Sequence, residues 1–513
     1  MAEQKPRERW GTKLGIIMAV AGSAVGLGNF LRFPVQATQN GGGAFMIPYF
    51  ISFLLLGIPL MWIEWAIGRY GGLFGHGTAP FIFDKLWKNR ALKYLGVIGI
   101  FGPLVIFIYY VYIESWLLGY AFFAVTGKLL AYTTPQAMKG FLLAYQGLAP
   151  GSNLGTAYLF FLITFALNVW ILYRGIKGGI ELLCNWALPV LFAFGIIVAI
   201  RVLTLGAPNP QIPDWNILNG LGFLWNPDFS VLADSKVWLA AAGQIFFTLS
   251  VGIGCILTYA SYLSHGDDVV LSGLSAGATN EFAEVILGGS IVIPAAFAFL
   301  GPIGAAEAAG SGAFNLGFVT MPLIFGRIPL GELFALLWFA LLFLAGITSS
   351  VSLAEPAIAF VRDEFKLDRK QAVIIFSLIA FLLCQPAIFF LGHGVVDELD
   401  FWGGTFALVL FATIETILFV WIFGMDKAWE EMHRGAELNI PRFYRFIMKY
   451  ITPAFLLFIL GFWFIQQGWP TLMMKGVAAE NLPYILATRV GLVLLFLAIA
   501  ILVRVAYYRR KPA

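Results

Sequence analysis

The chain has 513 residues, of which 60% are hydrophobic and only 12% charged, with a formal net charge of +4. A water-soluble domain carries roughly twice that charged fraction, so lipid is the solvent for most of this chain. The small net charge gives no support to a nucleic-acid partner. The cysteines Cys184, Cys255 and Cys384 sit in apolar stretches without metal-ligand spacing, which excludes a disulfide framework.

The first residues, Met1 to Lys13, are polar and lack the apolar core and cleavage site of a signal peptide. A membrane-crossing helix needs about 20 apolar residues. Twelve spans are expected, at residues 13–36, 43–70, 94–124, 157–173, 180–203, 238–262, 270–299, 330–360, 372–390, 400–424, 450–468 and 484–507. Residues 1–12 and 508–513 are then short tails on a single transmembrane unit, 13–507. The connections alternate in charge, and 23 of the 32 basic residues fall on the side that holds both termini. The positive-inside rule places that side in the cytoplasm, and the chain in the cell (inner) membrane. The segments 126–155, 204–236 and 300–328 are the longest outer loops.

Span 1 reads Gly22-Ser-Ala-Val-Gly-Leu-Gly28-Asn29. Glycines inside a helix cost roughly 1 kcal/mol each relative to alanine. Span 6 carries a matching string, Ser250-Val-Gly-Ile-Gly254, against Ala24-Val-Gly-Leu-Gly28. Matched glycine interruptions in two halves of a membrane protein point to a transporter site. An unwound turn frees carbonyls that suit a cation and amides that suit an anion. The two halves are residues 13–203 and 238–424, with residues 450–507 added after them.

Ionisable residues within spans are functional candidates. Arg32 lies outward of the first break, and Asp400 opens span 10 on the same side; together they could close an outer vestibule. Arg7, Trp10 and Asp363 could do the same on the inner side. Glu64, Glu114 and Glu284 are carboxylates inside spans 2, 3 and 7, able to cap unwound backbone, balance a cation or relay a proton. Asn280 and Glu284 share one helix face. Thr348-Ser349-Ser350 clusters hydroxyls that suit a hard monovalent cation. There is no phosphate loop, no His/Cys metal cluster and no nucleophile elbow, and His76, His265, His393 and His433 are dispersed, so no enzyme activity is expected.

Four strings give the chain a resemblance to the neurotransmitter:sodium symporters, and among them to bacterial leucine transporter-like members. They are Ala24-Val-Gly-Leu-Gly-Asn-Phe-Leu-Arg-Phe-Pro34, Asn40-Gly-Gly-Gly-Ala-Phe-Met-Ile-Pro-Tyr49, Gly243-Gln-Ile-Phe-Phe-Thr-Leu-Ser250 and Ala345-Gly-Ile-Thr-Ser-Ser350. The resemblance runs nearly end to end. It implies an all-α polytopic fold of twelve helices, with a 5+5 inverted repeat (spans 1–5 and 6–10), broken helices 1 and 6, and two further helices.

The resemblance also implies a site, residue by residue. One sodium ion would be held by Ala24, Asn29, Thr248, Asn280 and the substrate carboxylate. A second would be held by Gly22, Val25, Ala345, Thr348 and Ser349. The substrate carboxylate would meet Leu27, Gly28 and Tyr110. Its ammonium would meet Ala24, Phe247, Thr248 and Ser250. Ile106, Tyr110, Phe247, Ile253, Ser349 and Leu353 would line the side-chain pocket, with Ser23 beside them. Arg32 and Asp400 would form the outer gate, and Arg7, Trp10, Tyr262 and Asp363 the inner one. Glu284 stands where chloride-dependent relatives carry serine, so its fixed carboxylate would replace chloride. Two positions depart from the leucine-carrying pattern: Ile253 replaces a phenylalanine and Ser23 an asparagine. The expected function is sodium-coupled symport of an apolar amino acid, aliphatic or aromatic, by alternating access, with no organic cofactor. A membrane-embedded amino-acid sensor that binds without transporting is the alternative. The oligomeric state stays open, a homodimer included.

Overall fold

The structure is a computed structural model describing residues 8–89 and 91–510. Among these residues every regular element is helical. Ten helices are long and apolar enough to cross a membrane without interruption: Gly43–Gly72, Leu92–Val125, Gly155–Tyr173, Ile176–Leu203, Val270–Gly310, Gly331–Phe365, Arg369–Phe389, Val395–Ile422, Phe443–Gln466 and Ala479–Arg509. An eleventh is a pair, Lys13–Ala24 and Gly28–Gln39, bent by 45°. The sixth position is filled by two pieces too short to qualify, Ser235–Thr248 and Cys255–Ala260. The twelve expected spans are therefore all represented, two of them broken.

Burial sorts the spans into centre and periphery. In span 3, 94% of the most apolar window is buried against other helices, but only 17% in span 12. Span 3 is thus a central post, and span 12 turns most of its apolar surface outward, as a lipid-facing helix does. The ends differ from the sequence expectation. Span 7 continues past residue 299 to Gly310, through a kink at Gly301 (φ 71°, ψ 178°) ahead of Pro302. The three long loops are not structureless: they carry the helices Pro135–Tyr145, Ile217–Trp225 and Ala313–Phe325.

The breaks have identifiable local causes. Span 1 stops at Ala24 because Val25 turns extended (ψ 92°), and the Asn29 side chain accepts from the Gly26 amide at 2.8 Å. In span 6 three residues enter the left-handed region: Ser250 (φ 54°), Gly252 (φ 74°) and Gly254 (φ 96°). The glycines adopt it without strain, whereas serine in that region costs about 1 kcal/mol or more. The Gly252 amide, freed by the unwinding, donates to the Glu64 carboxylate. Glu64 thereby supplies the partner that lipid cannot.

Candidate functional site

The two unwound turns face each other and form the walls of one cavity. Spans 3, 8 and 10 complete it. Ser23, Ala24, Leu27, Gly28, Ile106, Tyr110, Phe247, Thr248, Ser250, Ile253, Ser349 and Leu353 all line it. Gly26, Asn29, Tyr109, Gly404 and Leu408 line it as well. Gly404 and Leu408 lie on span 10, where nothing in the string Gly403-Gly-Thr-Phe-Ala-Leu408 distinguishes a pocket wall from packing.

Polar groups on the cavity wall point at one another across the breaks. The Leu27 amide lies 3.5 Å from the Tyr110 hydroxyl. The Ser250 hydroxyl donates to the Ser23 carbonyl at 2.9 Å, and the Ser23 and Ser352 hydroxyls are 2.6 Å apart. Gly26 leaves little room for a side chain: a Cβ at that position would sit 3.0 Å from Ser349 Oγ and 3.2 Å from the Tyr110 hydroxyl.

Asn29, Thr248 and Asn280 come together at one edge of the cavity, all essentially buried. Asn29 Nδ2 lies 2.8 Å from Asn280 Oδ1 and 3.2 Å from Thr248 Oγ1. With its amide oxygen and nitrogen exchanged, Asn280 instead donates to the carbonyls of both Ala24 and Thr248 at 3.2 Å. Three polar side chains from spans 1, 6 and 7 thus meet. A second set lies across span 1. Ser349 Oγ is 3.3 Å from the Gly22 carbonyl and 3.0 Å from that of Ala345, and Thr348 Oγ1 is 3.1 Å from Ala345 O. Val25 stands at the C-terminal end of the helix that carries Gly22. Both clusters are built from neutral amide, hydroxyl and carbonyl groups, whose oxygens suit a hard monovalent cation and not a transition metal. No group of three or more His, Cys, Asp or Glu side chains able to hold a metal occurs among the described residues.

Glu284 is fully buried beside the first cluster. It accepts from Tyr49 at 2.9 Å, from Gln244 at 3.0 Å and from the Thr248 hydroxyl. Glu64 caps span 6, as described above, while Glu114 touches neither break.

Arg32 and Asp400 each contact a residue that lines the cavity but do not form an ion pair within 4.0 Å. The Arg32 guanidinium lies over the Phe247 ring, 4.3 Å from its centroid, and Asp400 accepts from Tyr109 at 2.5 Å. The Tyr109 hydroxyl holds the carboxylate that the sequence assigned to Arg32.

On the N-terminal face, Trp10 donates to the Tyr259 carbonyl at 2.9 Å and packs edge-on against Tyr262. Tyr262 donates to Glu355 at 2.6 Å and accepts from Arg362 at 3.2 Å, while Arg362 also binds Asp363 at 2.8 Å. Arg7 lies outside the described residues. The sequence reading missed the centre of this network. Arg369 grips both oxygens of the buried Glu355 at 2.6 and 2.7 Å, and Glu8 bridges to Arg362 at 2.6 Å. The only sequence signal was Glu355 beside Pro356 inside an apolar helix; Arg362 and Arg369 read as ordinary basic residues of an inner loop.

A polytopic bundle with two helices unwound around a buried polar cavity defines a secondary carrier of the broken-helix class. The chain belongs to the sodium:neurotransmitter symporter family, whose model matches residues 7–139 and 151–510. It is similar to a sodium-dependent transporter of Methanocaldococcus jannaschii, with 32% identity over 88% of this chain and 89% of the relative. It is also similar to the sodium-dependent serotonin transporter of Drosophila melanogaster, with 26% identity over 90% of this chain and 76% of the relative. Among solved structures, MhsT in complex with L-phenylalanine is 32% identical, covers 88% of this chain and 99% of its own, and gives a TM-score of 0.75. The family consists of sodium-dependent membrane transporters and not enzymes.

Proposed function

We propose that this protein is a sodium-coupled, chloride-independent symporter of an apolar amino acid, working by alternating access. The observation that carries the reading is the single cavity between the two unwound turns, with a neutral oxygen cluster on either side of span 1. The first cluster, Ala24, Asn29, Thr248 and Asn280, holds one sodium ion and shares it with the substrate carboxylate. The second, Gly22, Val25, Ala345, Thr348 and Ser349, holds another. The substrate carboxylate binds the Leu27 and Gly28 amides and the Tyr110 hydroxyl. Its side chain lies against Ile106, Phe247, Ile253 and Leu353. The N-terminal face is cytoplasmic, and the repeats run over 13–203 and 238–424. The phenylalanine bound by MhsT favours an aromatic or large aliphatic substrate here. Ile253 and Leu408 fit that class, because neither brings a ring into the pocket.

Uptake of radiolabelled phenylalanine and leucine by proteoliposomes tests the reading. Uptake is expected to need sodium and to persist when chloride is replaced by gluconate. In the same assay, Ile253→Phe fills the pocket and is expected to shift the phenylalanine-to-leucine preference about tenfold towards leucine, the scale a few misplaced methylenes impose. An unchanged preference removes Ile253 from the pocket wall.

The network on the N-terminal face yields a further expected result. Removing one partner of a buried ion pair typically costs about 3–5 kcal/mol. Glu355 is fully buried and Arg369 nearly so. Arg369→Ala is therefore expected to shift the population towards the state open on that face. The measurement is labelling of a cysteine introduced at Ser352 by a membrane-impermeant thiol reagent, which should accelerate from that face in the variant. Equal rates with and without Arg369 would mean that the pair does not hold this face shut.

A further inference from the structure

The second oxygen cluster lies on the side of span 8 that faces span 1, and the opposite side of span 8 carries a polar network of its own. The Ser350 hydroxyl donates to Asn168 Oδ1 of span 4 at 2.7 Å. Asn168 Nδ2 in turn lies 3.2 and 3.4 Å from the two carboxyl oxygens of Glu114 on span 3. All three side chains are fully buried. Gly346 leaves the room that Glu114 occupies: a Cβ there would sit 2.9 Å from Glu114 Cγ. Successive residues on a helix are set 100° apart, so Ser349 and Ser350 point to different neighbours from one rigid turn. Any rotation of span 8 that moves Ser350 off Asn168 also moves Ser349 off the Gly22 carbonyl and turns Thr348 with it.

We infer that Glu114, Asn168 and Ser350 are positioning residues for the second sodium ion, setting the rotation of span 8 so that Thr348 and Ser349 meet the ion at the right distance. The inference rests on the sodium reading above. Groups that orient metal ligands without touching the ion typically change affinity by 10–100-fold when removed. A rigid ligand geometry also selects between ions of different radius, which a role in stability alone does not do.

The experiment measures substrate binding against sodium and against lithium for purified Ser350→Ala, Glu114→Ala, Glu114→Gln and Thr348→Ala. Ser350→Ala and Glu114→Ala are expected to raise half-saturating sodium about tenfold. They should also change the sodium-to-lithium ratio while leaving substrate affinity at saturating sodium within about twofold of the parent. Glu114→Gln, which keeps an acceptor for Asn168, should restore sodium affinity. Ser350→Ala removes one hydroxyl and stands alone if Glu114→Ala fails to fold. If Thr348→Ala weakens sodium binding but Ser350→Ala and Glu114→Ala leave both affinity and ion ratio unchanged, the network is ordinary packing and the inference is overturned. If Thr348→Ala itself leaves sodium binding unchanged, the second sodium assignment falls, and the inference with it.

Discussion

Replacing Asn29 by alanine is expected to raise the sodium concentration for half-maximal uptake by at least about tenfold, or 1.4 kcal/mol of binding free energy. Two roles of one side chain are lost together. The amide oxygen accepts from the Gly26 amide inside the break, and the amide nitrogen bridges Thr248 and Asn280. Removing it strands buried polar groups, each costing about 1–3 kcal/mol. It also frees the turn whose carbonyls are the other proposed ligands. Thr348→Ala, in the second cluster, removes a hydroxyl whose present partners are backbone carbonyls of its own helix. Its effect is expected to be in the same direction and smaller. Sodium titrations of phenylalanine uptake on both variants check this. Parental sodium dependence in both would refute the ion assignments.

The second large effect concerns Glu284. Glu284→Ser is expected to lower uptake in chloride-free medium by more than about tenfold, and added chloride should restore most of it. The reason is electrostatic. A buried cation without a counter-charge is costly in a low dielectric, and a carboxylate in the same cavity offsets that cost. Glu284 accepts from Tyr49, Gln244 and the Thr248 hydroxyl. With the carboxylate gone, those three donors and the new serine hydroxyl would face an anion-sized gap. Uptake measured against chloride concentration checks the claim. A variant that loses activity and is not rescued by chloride would show that Glu284 does something other than balance charge.

The parts of the site that were legible in the sequence are those where chemistry conflicts with the local environment. Three glycines in seven residues conflict with a helix, and their recurrence at Ser250–Gly254 gave the cavity its two walls. Asn29, Thr248, Asn280 and Glu284 conflict with lipid, and in the structure they come within contact of one another. What escaped notice were residues with nothing unusual about them. Leu408 and Gly404 look like any apolar helix, and only the fold brings span 10 to the pocket. Arg362 and Arg369 looked like loop charges because a basic inner loop is the expected pattern. Only the structure sets Arg369 on Glu355. Tyr109 donates to Asp400, a contact that nothing in the sequence marked. The kinked C-terminal end of span 7 was missed because Gly301-Pro302 looks like a stop, whereas the chain turns there and continues helically to Gly310.

The central claim is that sodium bound between the two breaks holds the amino acid. Its most direct test is equilibrium binding of labelled phenylalanine to the purified protein, titrated in sodium chloride and in potassium chloride at equal ionic strength. The account predicts saturable binding that appears with sodium, tightens as sodium rises and is lost in Asn29→Ala at low sodium. Equal binding in potassium and in sodium would contradict it.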